Sequence, residues 1–323
     1  MTWYKLSPRS ARLGASALSV CLLSLVACDS DRPLAPSTEL PGEVVDTDPG
    51  VEEVGAELIS VDDTLLASAV SRRGIPMGHF AQPITTFGRT YNGGHKNFSP
   101  KSIVRDLSAI RARGGRVVVA FSGSPKYYLQ NGYFSFEKWK SRVNRFRGIN
   151  LSQFIKDGTI VGHYMIDEPN DPANWRGRPV SPSMLEQMAR YSKQLWPSMP
   201  TIVRVEPGYL ARNHRHLDAA WAQYLHRKGP VESFLRRNVS AARERRVGLV
   251  VGLNVLKGGI PNGTRMTAKE VKAWGSALLD SSYPCAFINW TYDRGYVGSR
   301  GMGDAMGALR RKAESRSSKS CRG

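Results

Sequence analysis

The sequence predicts an α/β fold of alternating parallel strands and helices, and we favour a (β/α)8 barrel. Three observations lead to this fold class. A body of about 250 residues follows an N-terminal leader, which suits one large barrel or two smaller domains. Strand and helix patterns alternate along that body, and the strand segments are continuously apolar, as in sheets buried on both faces. An open, doubly wound sheet is the alternative, although no Gly-rich phosphate loop follows the first strand.

Seven strand segments can be recognised in order, each of them short and apolar. They cover residues 77–80, 117–121, 160–166, 202–205, 219–224, 247–255 and 286–291. Helix starts lie between them: Ser181-Pro182 places a capping serine before a proline, and Thr267 with Glu270 forms a capping-box pattern. A closed barrel needs one more strand, which we expect between Gly123 and Asn150.

The first 27 residues are predicted to be a signal peptide that is removed on export. Basic residues at Lys5, Arg9 and Arg12 precede an apolar run over residues 13–26, which is shorter than the roughly 20 residues that a membrane-spanning helix needs. The run ends in Leu-Val-Ala-Cys, which resembles the bacterial lipobox. The resemblance implies that Cys28 is lipidated, so that the mature protein is anchored in the cell envelope. An ordinary secretory signal with an incidental cysteine is the alternative.

The segment over residues 28–63 is predicted to be an acidic, flexible linker, because it is rich in Pro, Asp and Glu and poor in aromatic residues. It contains eleven acids and one base, for a net charge of −10, whereas the signal contributes +3. Of the total net charge of +19, the remaining body at residues 64–323 therefore carries +26. Such a body attracts polyanions, although an evenly solvated, arginine-rich surface would have the same composition. Export makes nucleic acid an unexpected partner.

Polar residues follow the predicted strands where each strand ends. In a barrel these ends meet on one rim, which holds the active site. The strand-end residues, with nearby loop residue Trp175, are therefore our candidates for binding substrate: His79, Gln82, Trp175, Gln223, Tyr224, Asn254, Asn289 and Trp290. The aromatic loop residues Tyr127, Tyr128, Tyr133 and Trp175 either stack on sugar rings or pack the loops.

The segment Ile-Val-Gly-His-Tyr-Met-Ile-Asp-Glu-Pro-Asn at residues 160–170 resembles the strand-four segment of TIM-barrel glycoside hydrolases. In that family an Asn-Glu-Pro sequence carries the acid/base glutamate, which implies that Glu168 is the general acid. Asn289-Trp290 likewise resembles the last-strand tryptophan beneath the sugar. Strand alternation also favours Glu168, because Asp167 would face the opposite side.

The second carboxylate that hydrolysis requires is not where the resemblance places it. The strand before the last ends at Asn254 rather than at a glutamate. Asp167, Glu206 and Asp293 are the candidates for this role. Alternatively, the barrel binds a glycan without cleaving it, or it is a basic protein that holds envelope polyanions.

Two cysteines remain in the body, Cys285 and Cys321. Cys285 begins the last strand, and the final helix must run back to the same end of the barrel, so a disulfide between them is feasible in an exported protein. A buried Cys285 with a free tail thiol is the alternative. The His-x-His-x-Asp pattern at His214, His216 and Asp218 lacks the histidine that should continue it, and we expect no metal and no other cofactor. We expect a monomer that acts on a glycan.

Overall fold

A computed structural model of the chain describes residues 73–88 and 90–322. The predicted signal peptide, the lipidation residue Cys28, the linker over residues 28–63 and the first residues of the body lie outside this part. Eight parallel strands alternate with helices in a nearly closed barrel, so the predicted (β/α)8 TIM-barrel fold is confirmed. In the described part, no helix has the length and apolar character needed to cross a membrane.

Ten strands and eight α-helices make up the described part of the chain. The strands are β1 Met77–His79, β2 Gly93–Asn97, β3 Arg116–Ala120, β4 Leu129–Gln130, β5 Tyr133–Phe134, β6 Ile160–Asp167, β7 Thr201–Arg204, β8 Ala219–Tyr224, β9 Gly248–Leu253 and β10 Ala286–Asn289. The helices are α1 Ile103–Ala112, α2 Phe136–Asn144, α3 Ser152–Lys156, α4 Pro182–Leu195, α5 Val231–Glu244, α6 Ala268–Asp280, α7 Arg294–Val297 and α8 Met302–Glu314. The barrel order is β1-β10-β9-β8-β7-β6-β3-β2, while β4 and β5 form a separate antiparallel hairpin.

The eighth barrel strand is β2, so the expectation of a strand between Gly123 and Asn150 is wrong. That segment instead contains the β4–β5 hairpin and helix α2. Strand β2 reads Gly-Gly-His-Lys-Asn and lacks the apolar run by which the other strands were recognised. A Cβ atom on Gly93 would lie 2.5 Å from the Pro76 side chain, so a residue with a side chain cannot occupy this position.

Side chains complete the barrel between β1 and β2, where the described residues form no strand ladder. The Met77 amide donates to Asn92 Oδ1 at 2.7 Å, and Asn92 Nδ2 donates to the Ile75 carbonyl at 3.3 Å. The His79 amide donates to Gln82 Oε1 at 2.8 Å. These side-chain amides satisfy backbone groups that a neighbouring strand would otherwise satisfy.

Alternate residues of the strands pack into two separate apolar clusters. In β3, Val118 and Ala120 join an inner cluster with Tyr164 and Trp221, whereas Val117 and Val119 belong to the outer cluster between barrel and helices. Both faces of β3 are therefore buried, which explains its continuous apolar run in the sequence.

The C-terminal tail covers the end of the barrel where the strands begin. Cys285, the residue immediately before β10, forms a disulfide with Cys321. Arg316 donates to the Pro284 carbonyl at 2.9 Å, and Lys319 donates to the Tyr283 carbonyl at 2.8 Å. The opposite end, where the strands finish, is free of this tail.

Candidate active site at the carboxyl ends of the strands

Strand β6 ends in the two consecutive acids that the sequence singled out. Its pairing with β7 shifts register between Tyr164 and Asp167. Side chains therefore do not alternate strictly between the two faces of β6 at this point. The expectation that only Glu168 faces the site, which rested on that alternation, is wrong. Both carboxylates instead contact the same guanidinium group.

That guanidinium belongs to Arg204, the last residue of β7, which the sequence analysis missed. Its Nη1 lies 2.5 Å from Asp167 Oδ1, and its Nη2 lies 3.1 Å from Glu168 Oε1. The Arg204 side chain is 4% exposed, and its guanidinium carbon lies 4.0 Å from the centre of the Trp290 ring. The sequence signal that could have identified Arg204 is a charged residue at the end of the strand that follows β6.

Arg204 remains charged although it is buried. Burial alone would lower the pKa of Arg204, but Asp167, Tyr164 and Glu168 together outweigh this effect and raise it. A buried cation thus holds the two acids together beneath an aromatic ring.

The backbone of Glu168 is held in an uncommon conformation. Its φ of 37° lies in the left-handed region, which non-glycine residues rarely adopt. The Glu168 amide donates to the Arg204 carbonyl at 3.1 Å, and Trp175 Nε1 donates to the Glu168 carbonyl at 2.9 Å. Trp175 is fully buried, so its role here is to position Glu168 rather than to stack on a ligand.

An aromatic cluster lies inside the barrel below Arg204 and Trp290. Phe80 stacks on His95 with ring centres 3.7 Å apart, and it approaches Trp290 at 4.3 Å. Tyr164 meets His95 edge-on at 4.8 Å. Burial, with a smaller contribution from Arg204, holds the pKa of His95 well below its usual range, so the ring is neutral at physiological pH. Burial and the nearby Asp167 raise the pKa of Tyr164.

The other two candidate acids have separate partners. Glu206 Oε1 lies 2.6 Å from Lys228 Nζ. Asp293 caps helix α7 by accepting from the Tyr296 amide at 2.7 Å, and its other oxygen lies 3.6 Å from Arg265. Of the candidate acids, Asp167 is therefore the one that shares a partner with Glu168.

Several predicted substrate-binding residues are buried, although they lie at the ends of strands. His79 is fully buried between the Tyr91 and Tyr292 rings, and burial lowers its pKa to about 3. Asn289 accepts from the Leu253 amide at 2.9 Å and is also fully buried. These contacts stabilise the barrel wall, and they give His79 and Asn289 no access to a ligand.

Tyr224 and Gln82 likewise have structural contacts. The Tyr224 hydroxyl donates to the Gly229 carbonyl at 2.9 Å, and its ring packs on Phe234 and Trp274 outside the barrel. The Gln82 side chain accepts a hydrogen bond from the His79 amide and so helps to close the barrel between β1 and β2. Both side chains are almost fully buried.

Of the three other predicted residues, Gln223 is buried, whereas Asn254 and Trp290 are half-buried. Gln223 Nε2 donates to the Ile288 carbonyl at 2.8 Å. Asn254, half-buried, accepts from the Lys257 amide at 3.1 Å, and its backbone pairs with Trp290. Trp290 is also half-buried, and its peptide bond to Thr291 is cis.

The His-x-His-x-Asp residues have protein partners rather than a shared centre. His214 Nε2 contacts the Arg245 carbonyl at 2.6 Å, His216 pairs with Glu186 at 2.7 Å, and Asp218 pairs with Lys193 at 2.5 Å. Over residues 73–88 and 90–322, no group of three or more His, Cys, Asp or Glu residues is arranged to hold a metal ion.

Comparison with known proteins identifies the fold. No protein-family model matches the chain, and a search of curated proteins gave no match either. Among solved structures, a putative glycoside hydrolase from Parabacteroides distasonis ATCC 8503 superposes with a TM-score of 0.52 at 12% identity, over 76% of this chain and 94% of that one. The exo-beta-1,4-mannosidase Op5Man5 from Opitutaceae bacterium strain TAV5 superposes with a TM-score of 0.49 at 12% identity, over 76% of this chain and 61% of that one. The chain therefore has a glycoside hydrolase-like TIM-barrel fold.

Proposed function

We propose that this chain is an exported lipoprotein, anchored through Cys28, whose barrel binds a polysaccharide and hydrolyses its glycosidic bonds. The observation that carries the proposal is the pair of acids, Asp167 and Glu168, held on Arg204 next to Trp290. An aromatic ring beside two carboxylates at the catalytic rim of a barrel suits a sugar ring and the chemistry of its glycosidic bond.

The two acids differ in access to solvent, which suggests different roles. The Glu168 side chain is 45% exposed and Asp167 is 25% exposed. Glu168 Oε1 accepts from Arg204, so Glu168 Oε2 is the oxygen available to carry the proton for the leaving group. Asp167, held closer to the barrel interior, supplies the second carboxylate, which attacks the sugar or activates water.

A non-catalytic glycan-binding protein on the same fold is the second candidate. Asn254 stands where the resemblance to TIM-barrel glycoside hydrolases places the nucleophile, and Arg204 neutralises part of the charge of the acid pair. A polyanion-binding envelope protein is the third candidate, and the net charge of the body favours it.

The test measures sugar release from a panel of polysaccharides by the full chain in a non-ionic detergent. We expect cleavage of at least one polymer, and Glu168→Gln should slow it by roughly 10²–10⁴-fold, the usual contribution of general acid–base catalysis. The matched control is Glu137→Gln, an exposed acid on α2. Activity of Glu168→Gln within about twofold of wild type would remove Glu168 from the mechanism. Binding without cleavage would favour the second candidate.

A further inference from the structure

A loop assembly beside the acid pair has not been used by the proposed mechanism. We call it the rim arm and define it as residues 122–135, which include the β4–β5 hairpin, together with residues 171–178. The two parts are joined where Arg176 Nη1 donates to the Asn131 carbonyl at 2.9 Å. Tyr128, Phe134 and Trp175 pack together inside the arm, with ring centres 6.0–6.4 Å apart. The arm is therefore a packed structure and not a loose loop.

The rim arm begins at the acid pair. Its Trp175 donates to the Glu168 carbonyl. Tyr128 is buried next to Asp167, and burial together with that carboxylate raises the pKa of Tyr128. The arm therefore packs directly against the acid pair.

The outer surface of the arm combines tyrosine rings with cations. Lys126 lies 5.3 Å from the centre of the Tyr127 ring, which is 46% exposed, and Arg142 of the adjoining helix α2 lies 4.1 Å from the same centre. Arg178 lies 4.6 Å and Arg176 lies 5.5 Å from the centre of the Tyr133 ring.

Within the described residues, these four cations differ from Arg204 in forming no ion pair with a carboxylate. Across the described residues, no ion pair joins Lys126, Arg142, Arg176 or Arg178 to an acid, whereas Arg204 has two. Each of the two tyrosine rings, Tyr127 and Tyr133, therefore has two cations over it, and these cations form no ion pair with an acid within residues 73–88 and 90–322.

We propose that the rim arm binds the carboxylate-bearing sugars of an acidic polysaccharide, a polyuronate, and delivers that polymer to the acid pair. This inference deepens the proposed function and rests on it. A tyrosine ring packs against the C–H face of a sugar, and a neighbouring guanidinium presents a planar fork that matches a carboxylate. The pairing of ring and cation, repeated at Tyr127 and Tyr133, suits a polymer that repeats sugar ring and carboxylate.

The test compares binding of one polyuronate with binding of the same polymer after its carboxylates have been reduced to neutral alcohols. The full chain in a non-ionic detergent is used at low salt. We expect the polyuronate to bind at least tenfold more tightly, an advantage that shrinks as salt rises because exposed charges are screened. Arg142→Gln combined with Arg178→Gln should weaken polyuronate binding by roughly tenfold and leave binding of the neutral polymer within about twofold.

The matched control is Arg190→Gln combined with Arg236→Gln, which removes the same charge from exposed positions on α4 and α5. This control should bind the polyuronate as wild type does. Equal losses in the two double variants would mean that net charge alone attracts the polymer, and would overturn the inference. Equal binding of the reduced and unreduced polymers would also overturn it, while cleavage of the neutral polymer would leave the proposed function intact.

Discussion

Replacing Arg204 by methionine tests whether one guanidinium organises the candidate site. Methionine keeps much of the length of the side chain but removes the charge, so Asp167 and Glu168 lose their shared partner and Trp290 loses its cation. Removing one partner of a buried ion pair costs about 3–5 kcal/mol. Asp167 and Glu168 are 25% and 45% exposed, so water screens part of this effect. We therefore expect the free energy of unfolding to fall by about 2–3 kcal/mol.

Urea denaturation followed by tryptophan fluorescence measures this loss. A double-mutant cycle that combines Arg204→Met with Asp167→Asn isolates the interaction between Arg204 and Asp167. We expect a coupling energy of about 1–2 kcal/mol because these two residues are in direct contact. Arg236→Met on the exposed face of α5 is the control and should change stability by less than about 0.5 kcal/mol. If Arg204→Met changed the free energy of unfolding as little as Arg236→Met does, Arg204 would not hold the two acids in place, and its role in the site would be refuted.

Three further predictions concern other parts of the chain. Burial lowers the pKa of His163 from 6.5 to about 3, so the neutral ring contributes stability above pH 6.5 that is lost as the pH falls toward 3. His163→Gln should therefore reduce the slope of unfolding free energy against pH below 6.5 by up to about 1.4 kcal/mol per unit, and an unchanged slope would contradict this. Thiol titration of the unfolded, unreduced chain should find neither Cys285 nor Cys321 reactive, and two reactive thiols from this pair would refute the disulfide. Reducing the disulfide should lower the free energy of unfolding by about 3–4 kcal/mol. Cys28→Ser should leave the chain unprocessed or released from membranes, and fractionation identical to that of wild type would exclude lipid anchoring.

The sequence alone was sufficient for the fold class and for the location of the acid pair. Strands buried on both faces must be apolar throughout, so β3, β6, β8 and β9 could be recognised from their composition. Strand β2 could not, because its glycines are required by close approach to the chain beside it, and that contact joins residues far apart in sequence.

Tertiary structure decided what surrounds the acids. The register shift in β6 brings Asp167 and Glu168 to one guanidinium, and a shift of this kind depends on how β6 pairs with β7 rather than on either segment alone. Residues at strand ends looked alike in the sequence, yet His79 and Asn289 are buried in the barrel wall whereas Trp290 lies over Arg204. A local pattern reports that a segment is buried, but the direction of each side chain at a strand end is set by its neighbours across the sheet.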